Sequence, residues 1–170
     1  MSLPIPHLAP LGVGLVCAAA CDLWRRRIPN AVSVALLLGG LIVRALDGGF
    51  LASLSGLGAS VLVAAALIRP WRAGGVGGGD VKLAIAVAAW VGLDKIIWFA
   101  LATAVGGGLV AAACYLLARP SARAEVRTNL TLAALGGELP QIPTQRTGHV
   151  SVPYALAIAA GAAVALLVAS

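Results

Sequence analysis

Of the six acidic side chains in the 170 residues, two stand where a carboxylate is costly and needs a partner or a task. Asp22 ends an apolar run and lies three residues before Arg25-Arg26-Arg27. Asp80 ends the glycine run Gly74-Gly75-Val76-Gly77-Gly78-Gly79 and opens the apolar segment Val81-Lys82-Leu83. Two carboxylates at the margins of apolar spans, on one face of a membrane, can share a single proton. Repulsion keeps one protonated and leaves the other ionised, so one acts as base on a water and the other as acid toward a peptide carbonyl. The glycines before Asp80 suit that chemistry. Backbone without Cβ atoms lets an extended substrate come close and lets the turn adopt conformations closed to other residues. Each residue also has a simpler reading. Asp22 can pair with Arg25 or Arg26 one turn on, worth about 0.3–0.5 kcal/mol if exposed. Asp80 can cap a helix that starts at Val81, and the glycines can be a flexible linker. The simpler readings weaken together, because both carboxylates fall at the same end of spans that can pack side by side.

The elements that must hold these residues are membrane helices. The chain is 61% hydrophobic and 11% charged, with a mean hydropathy of +1.00, which a water-soluble domain of this length cannot carry. Apolar runs span Leu8–Leu23, Ala31–Ala45, Phe50–Ile68, Val81–Leu93, Ile96–Ala118 and Val152–Val168, against about 20 residues for a helix that crosses the hydrocarbon core. The expectation is an all-α polytopic membrane protein, a bundle of about six transmembrane helices in a single membrane-embedded domain, residues 1–170. Lys and Arg are distributed unevenly between the loops. The first, third and fifth loops hold ten of the twelve, leaving Arg44 in the second and Lys95 in the fourth. The positive-inside rule then puts the odd loops in the cytoplasm and both termini outside. Asp22 and Asp80 fall on the cytoplasmic side. Pro29 stops the first helix from running on, and Asn30 is a candidate N-cap for the second. The fourth run is short for a crossing, so its helix borrows turns from the flanking loops or sets Asp80 below the membrane surface.

Several other functions are disfavoured. The net charge of +6 comes from clusters between apolar runs, and with 5% aromatic residues no base-stacking surface interleaves with them, so nucleic acid is set aside. Cys17, Cys21 and Cys114 lie in apolar runs without a C-x-x-C pair, and read as buried small hydrophobes. The first apolar run is preceded by no Lys or Arg, unlike a signal peptide, and reads as a true first span. The glycine run lacks the G-K-[ST] of a P-loop, no G-x-S-x-G occurs, and His7 and His149 fall on opposite sides; neither a metal nor a cofactor is expected. Asp47, Asp94, Glu125 and Glu138 lie in loops and read as solvated charges. Lys82 reads first as a headgroup anchor. The cytoplasmic loop at about 119–151 contains Pro120, Pro140 and Pro143, with Leu130 to Leu135 as a candidate interfacial helix, and is long enough to act as a lid over substrate.

Three blocks together resemble the type IV prepilin peptidases, membrane aspartyl proteases with a G-x-G-D motif, and most resemble the short form that serves tight-adherence (Flp-type) pili. These are Asp22 followed by Arg27-Ile28-Pro29-Asn30, then Gly77-Gly78-Gly79-Asp80-Val81-Lys82-Leu83, then Val152-Pro153-Tyr154-Ala155-Leu156-Ala157-Ile158-Ala159-Ala160-Gly161. The resemblance implies an aspartic endopeptidase of the inner membrane. It would cleave the basic leader of a prepilin at the cytoplasmic face, just before the substrate's apolar helix. Asp22 and Asp80 would be the catalytic pair, with Gly77 and Gly79 the motif glycines beside the substrate. The implied partners are the prepilin and the lipid bilayer, with the pilus assembly machinery possible. Longer members carry a domain with paired C-x-x-C motifs and N-methylate the cleaved pilin. This chain has no such motif, which puts methylation in doubt. Ala155 stands where related short members often have glycine. Two rivals remain: a related membrane aspartyl protease for another secreted-filament precursor, and a small transporter or proton channel with paired acids.

Overall fold

The computed structural model describes residues 5–25, 29–73, 76–117, 120, 123, 124, 131 and 154–168, with side chains excepted at 5–8 and 22–25. Five helices order these residues: α1 (Ile5–Arg25), α2 (Asn30–Arg72), α3 (Gly78–Val91), α4 (Ile96–Leu117) and α5 (Tyr154–Val168), with no strand among the described residues. The chain divides into two compact units, Met1–Gly107 with Pro153–Ser170, and Gly108–Val152. The all-α class expected from composition is observed.

The second and third apolar runs appear as one element. α2 has 43 residues, about 65 Å of helix at 1.5 Å per residue, twice the thickness of a hydrocarbon core. It does not run straight. Gly49 has φ 72° and ψ −170°, a left-handed backbone that glycine adopts without steric cost. Around it the Arg44 Nε donates to the Ala52 carbonyl at 2.9 Å, although eight residues of straight helix would separate them by about 12 Å. α2 therefore doubles back, and its two arms both lie against α3.

α3 is the centre of the larger unit. Val81, Leu83, Ala84 and every residue from Ala86 to Val91 are buried, so beyond the exposed Lys82 and the partly buried Ile85 the helix is apolar because it is enclosed. With 14 residues it is about 21 Å long. It gains turns on one side only, starting at Gly78 where the sequence suggested Val81, and ending at Val91. α2 and α5 pack on it, and α1 touches α2, α3 and α5. Among apolar helices in lipid the association comes from close packing and hydrogen bonds, and α2 supplies both. Trp90, 1% exposed, rests on the first arm of α2 over Gly39 and Gly40, where a Cβ on Gly40 would stand 2.7 Å from its ring. Its indole Nε1 donates to the Leu36 carbonyl at 2.7 Å. On the second arm a Cβ at Gly56 would stand 2.5 Å from the Ala89 carbonyl oxygen. One turn away, the buried Ser60 hydroxyl is shared between the Gly56 and Ile85 carbonyls at 3.1 and 3.0 Å.

The outward faces are apolar. Val34, Leu38 and Ile42 form an exposed stripe on the first arm of α2, while Ser33, Leu36 and Gly40 of the opposite stripe are buried. Large apolar residues outside, with serine and glycine among the inward ones, fit a helix in contact with lipid. By length and composition, α2 and α4 are each long and apolar enough to cross a membrane. α4 and α5 run antiparallel, with Gly106 against Ala157 and Gly107 against the Tyr154 ring.

Cys17, expected to be buried, is exposed on α1, while Cys21 and Cys114 are partly buried; all three are free thiols. In the smaller unit, Arg123 donates to the Tyr115 carbonyl at 3.1 Å and to the Leu116 carbonyl. Its guanidinium lies 6.0 Å from the Tyr115 ring centroid. The two bonds supply donors to carbonyls that the end of α4 leaves open. Of the stretch Leu130 to Leu135, only Thr131 is described, and Glu125, Glu138, Arg146, His7 and His149 lie outside the described side chains.

Candidate active site

Asp80 is the third residue of α3. The N-cap position belongs to Gly77, which has extended backbone and no side chain to offer, and the Val81 amide donates to its carbonyl at 3.1 Å. Asp80 is therefore not the N-cap that its place in the sequence suggested. Its carboxylate turns back over the glycines. Oδ2 lies 2.8 Å from the point where a Cβ on Gly77 would be, so any side chain there would occupy the space the carboxylate uses. The first turn of a helix also favours negative charge, through the unpaired amides and the macrodipole. Asp80 is partly buried, between the enclosed body of α3 and the exposed Gly77; Gly79, the second helical residue, is partly buried too.

Two parts of α2 meet this turn. Trp71, 49% exposed near the end of the second arm, leans on the turn with its indole Nε1 3.3 Å from a Cβ position on Gly78. From the start of the first arm, Asn30 accepts a hydrogen bond from Lys82 Nζ at 2.9 Å. Asn30 is the first residue of α2, with Pro29 at the N-cap and no side-chain cap. Its amide, expected to cap the helix, instead binds the lysine, and that lysine, expected to reach toward headgroups, binds the amide.

Asp22 lies in the last turn of α1, and its side chain is outside the description. Asn30, eight positions further along the chain, is bonded to the second turn of α3, so the start of α2 and the start of α3 meet.

Sequence reasoning missed the contacts of Trp71 and of Asn30 with Lys82. An aromatic residue in Pro70-Trp71-Arg72, directly before the glycine run, was a signal available for the first. A hydrogen bond spanning 52 positions has no counterpart in one sequence.

Residues 10–112 match the model of the type IV leader peptidase family. The match includes Asp22, the glycine turn and Asp80, and stops before the third resembling block in α5. It covers well over half of the 170 residues, and the chain belongs to that family. Membership makes it a protease of membrane-associated type with leader-peptidase-like function, which disfavours the transporter reading. No curated protein and no solved structure matches the chain.

Proposed function

We propose that the chain is a prepilin leader peptidase of the aspartic type, acting on Flp-like prepilins at the cytoplasmic face of the inner membrane. In this reading residues 1–170 form one membrane-embedded peptidase domain crossing the bilayer six times, with both termini outside. Ten of twelve basic residues in the odd loops support that orientation. Asp22 and Asp80 are the catalytic pair. One carboxylate takes a proton from water as the water attacks the scissile carbonyl, while the other, protonated, donates to that carbonyl oxygen; the first then passes its new proton to the departing amine as the second takes one back from the gem-diol. Gly77 and Gly79 present bare backbone to the substrate strand where leader meets apolar helix.

The observation that carries this reading is the Asp80 turn. A carboxylate in the first turn of a mostly enclosed helix, folded over a glycine that leaves it room, matches a group that must meet both water and a peptide backbone. Asp22 and Asp80 both fall within the stretch that matches the family.

The test is cleavage of a prepilin by purified protein and by its Asp22→Asn and Asp80→Asn variants. Each substitution keeps size and removes the charge, and each is expected to lower kcat by about a thousandfold, the scale for losing a general acid or base. Cleavage at near wild-type rate by either folded variant would exclude the pair.

A further inference from the structure

We infer that the Lys82–Asn30 hydrogen bond is a positioning link that holds the Asp22 segment at the Asp80 turn. This inference rests on the reading of Asp22 and Asp80 as the catalytic pair. Lys82 is two residues past Asp80, about 200° around the helix, and its Nζ is occupied by Asn30 Oδ1 at 2.9 Å. It therefore acts through placement, on the α2 side of α3, and not through contact with the reacting atoms. Asn30 is free for this role because the N-cap position of α2 is filled by Pro29, with φ −60° and ψ 135°. Proline fixes φ immediately before Asn30, and Asp22 lies eight positions back along the chain, so the tie fixes the start of α2 from which that segment leads back. Asp80 needs no such transmission, because it shares a rigid helix with Lys82.

The bond has the chemistry of a register pin. An ammonium donating to an amide oxygen is charge-assisted and directional, yet both side chains are exposed, so it contributes little to global stability. Its value lies in fixing one segment against another, and effective attack requires the two carboxylates to be placed to within fractions of an ångström.

The test is a double-mutant cycle in the full chain with a prepilin substrate. Lys82→Met and Asn30→Leu are each expected to lower kcat about tenfold with KM changed less than about twofold, and the double variant is expected to be no slower than either single one. Asn30→Asp, which still accepts from lysine, is expected to stay within about threefold of wild type. Multiplying losses in the double variant would overturn the inference, as would a raised KM in Lys82→Met with Asn30→Leu silent; both outcomes mean that Lys82 works alone on substrate or headgroups. A second measurement needs no turnover. In a background of Cys17→Ala, Cys21→Ala and Cys114→Ala, spin labels at Asp22→Cys and Asp80→Cys are expected to show strong dipolar broadening that Lys82→Met disperses. Unchanged broadening would overturn the link whatever the kinetics. Wild-type-like cleavage by Asp80→Asn would instead overturn the catalytic pair, while the label measurement still decides the link.

Discussion

The two ends of α3 are built in opposite ways. At the C-terminal end a single guanidinium gathers four acceptors. Arg44 donates to the carbonyls of Ala52, Trp90 and Val91 at 2.9, 3.2 and 3.1 Å and to the Asp94 carboxylate at 3.1 Å. Gly92 makes room for it: its φ of 75° is open to glycine, and a Cβ there would stand 2.5 Å from the guanidinium carbon. The Leu93 amide adds a bond to Ser55 at 3.0 Å. One cation thus closes the bend of α2 and supplies donors to the carbonyls that the end of α3 exposes. The N-terminal end has a glycine N-cap with no side-chain bond, a half-exposed tryptophan and an exposed lysine–asparagine pair. One end is tied into the fold by many bonds, and the other is sparsely tied, as the proposed entry of a substrate backbone there requires.

The largest effect expected from breaking this contrast is at the open end. Asp80→Asn is expected to cost about a thousandfold in kcat, while stability shifts by no more than about 1 kcal/mol, the scale of a charge at a helix N-terminus. The paired measurement is turnover and detergent-resistant thermal unfolding on the same sample. A collapse in unfolding temperature alongside the lost activity would mean that Asp80 is chiefly a structural cap.

Arg44→Met should give the mirror image. Its side chain is 11% exposed, and removing it leaves three carbonyls without that donor, for a loss of about 2–4 kcal/mol. The Asp94 bond contributes little of this, because that carboxylate is 47% exposed and water screens the pair. Below the lowered unfolding temperature kcat should be near wild type. A large loss of kcat in protein shown to be folded would mean that the closed end shapes the open one, and the division of labour would fail.

Gly77→Ala should sharpen the boundary between the two. The added methyl would sit 2.8 Å from Asp80 Oδ2, closer than carbon and oxygen approach without one moving. The carboxylate is the movable partner, so kcat should fall about 10- to 100-fold, as expected for a misplacement near 1 Å, with unfolding shifted little. Unchanged turnover would show that the carboxylate does its work from another rotamer.

Much of this was legible from residue types. The all-α class followed from hydropathy, and the weight given to Asp80 followed from its place between a glycine run and an apolar one. Three things were not legible, each for a physical reason. Pro29 and Gly77 took the cap positions that Asn30 and Asp80 seemed suited to fill, because a cap needs only the right backbone and an open donor can find another acceptor. The reversal between the second and third apolar runs was expected as a loop, but its form, a bend at Gly49 within one element, was not, because Gly48 and Gly49 read equally as a loop or as a break in one helix. Arg44 looked like a lone cation in an outer loop and Asp94 like a solvated charge, because the carbonyls that bind Arg44 belong to a helix 46 and 47 residues further on. Residue type reveals what a group can do; in these cases the partner came from the tertiary fold.

The smallest effect separates packing glycines from incidental ones, on the α2–α3 seam that joins the two ends. Gly56→Ala pushes a methyl against the Ala89 carbonyl oxygen at 2.5 Å. Both atoms belong to helix backbones, so relief requires α2 and α3 to separate, and overpacking of this kind costs about 1–3 kcal/mol. Gly12→Ala on α1 meets no atom within 4 Å and lies inside a helix, where alanine is favoured over glycine by about 0.5–1 kcal/mol. The first variant should unfold earlier and the second at the same temperature or slightly later, both with kcat unchanged in folded protein. Equal unfolding temperatures would mean that the seam has enough play to absorb a methyl. In that case α3 would owe its position to the Arg44 clamp and the Trp90 seat, and the open end would be held less firmly than the close helix contact implies.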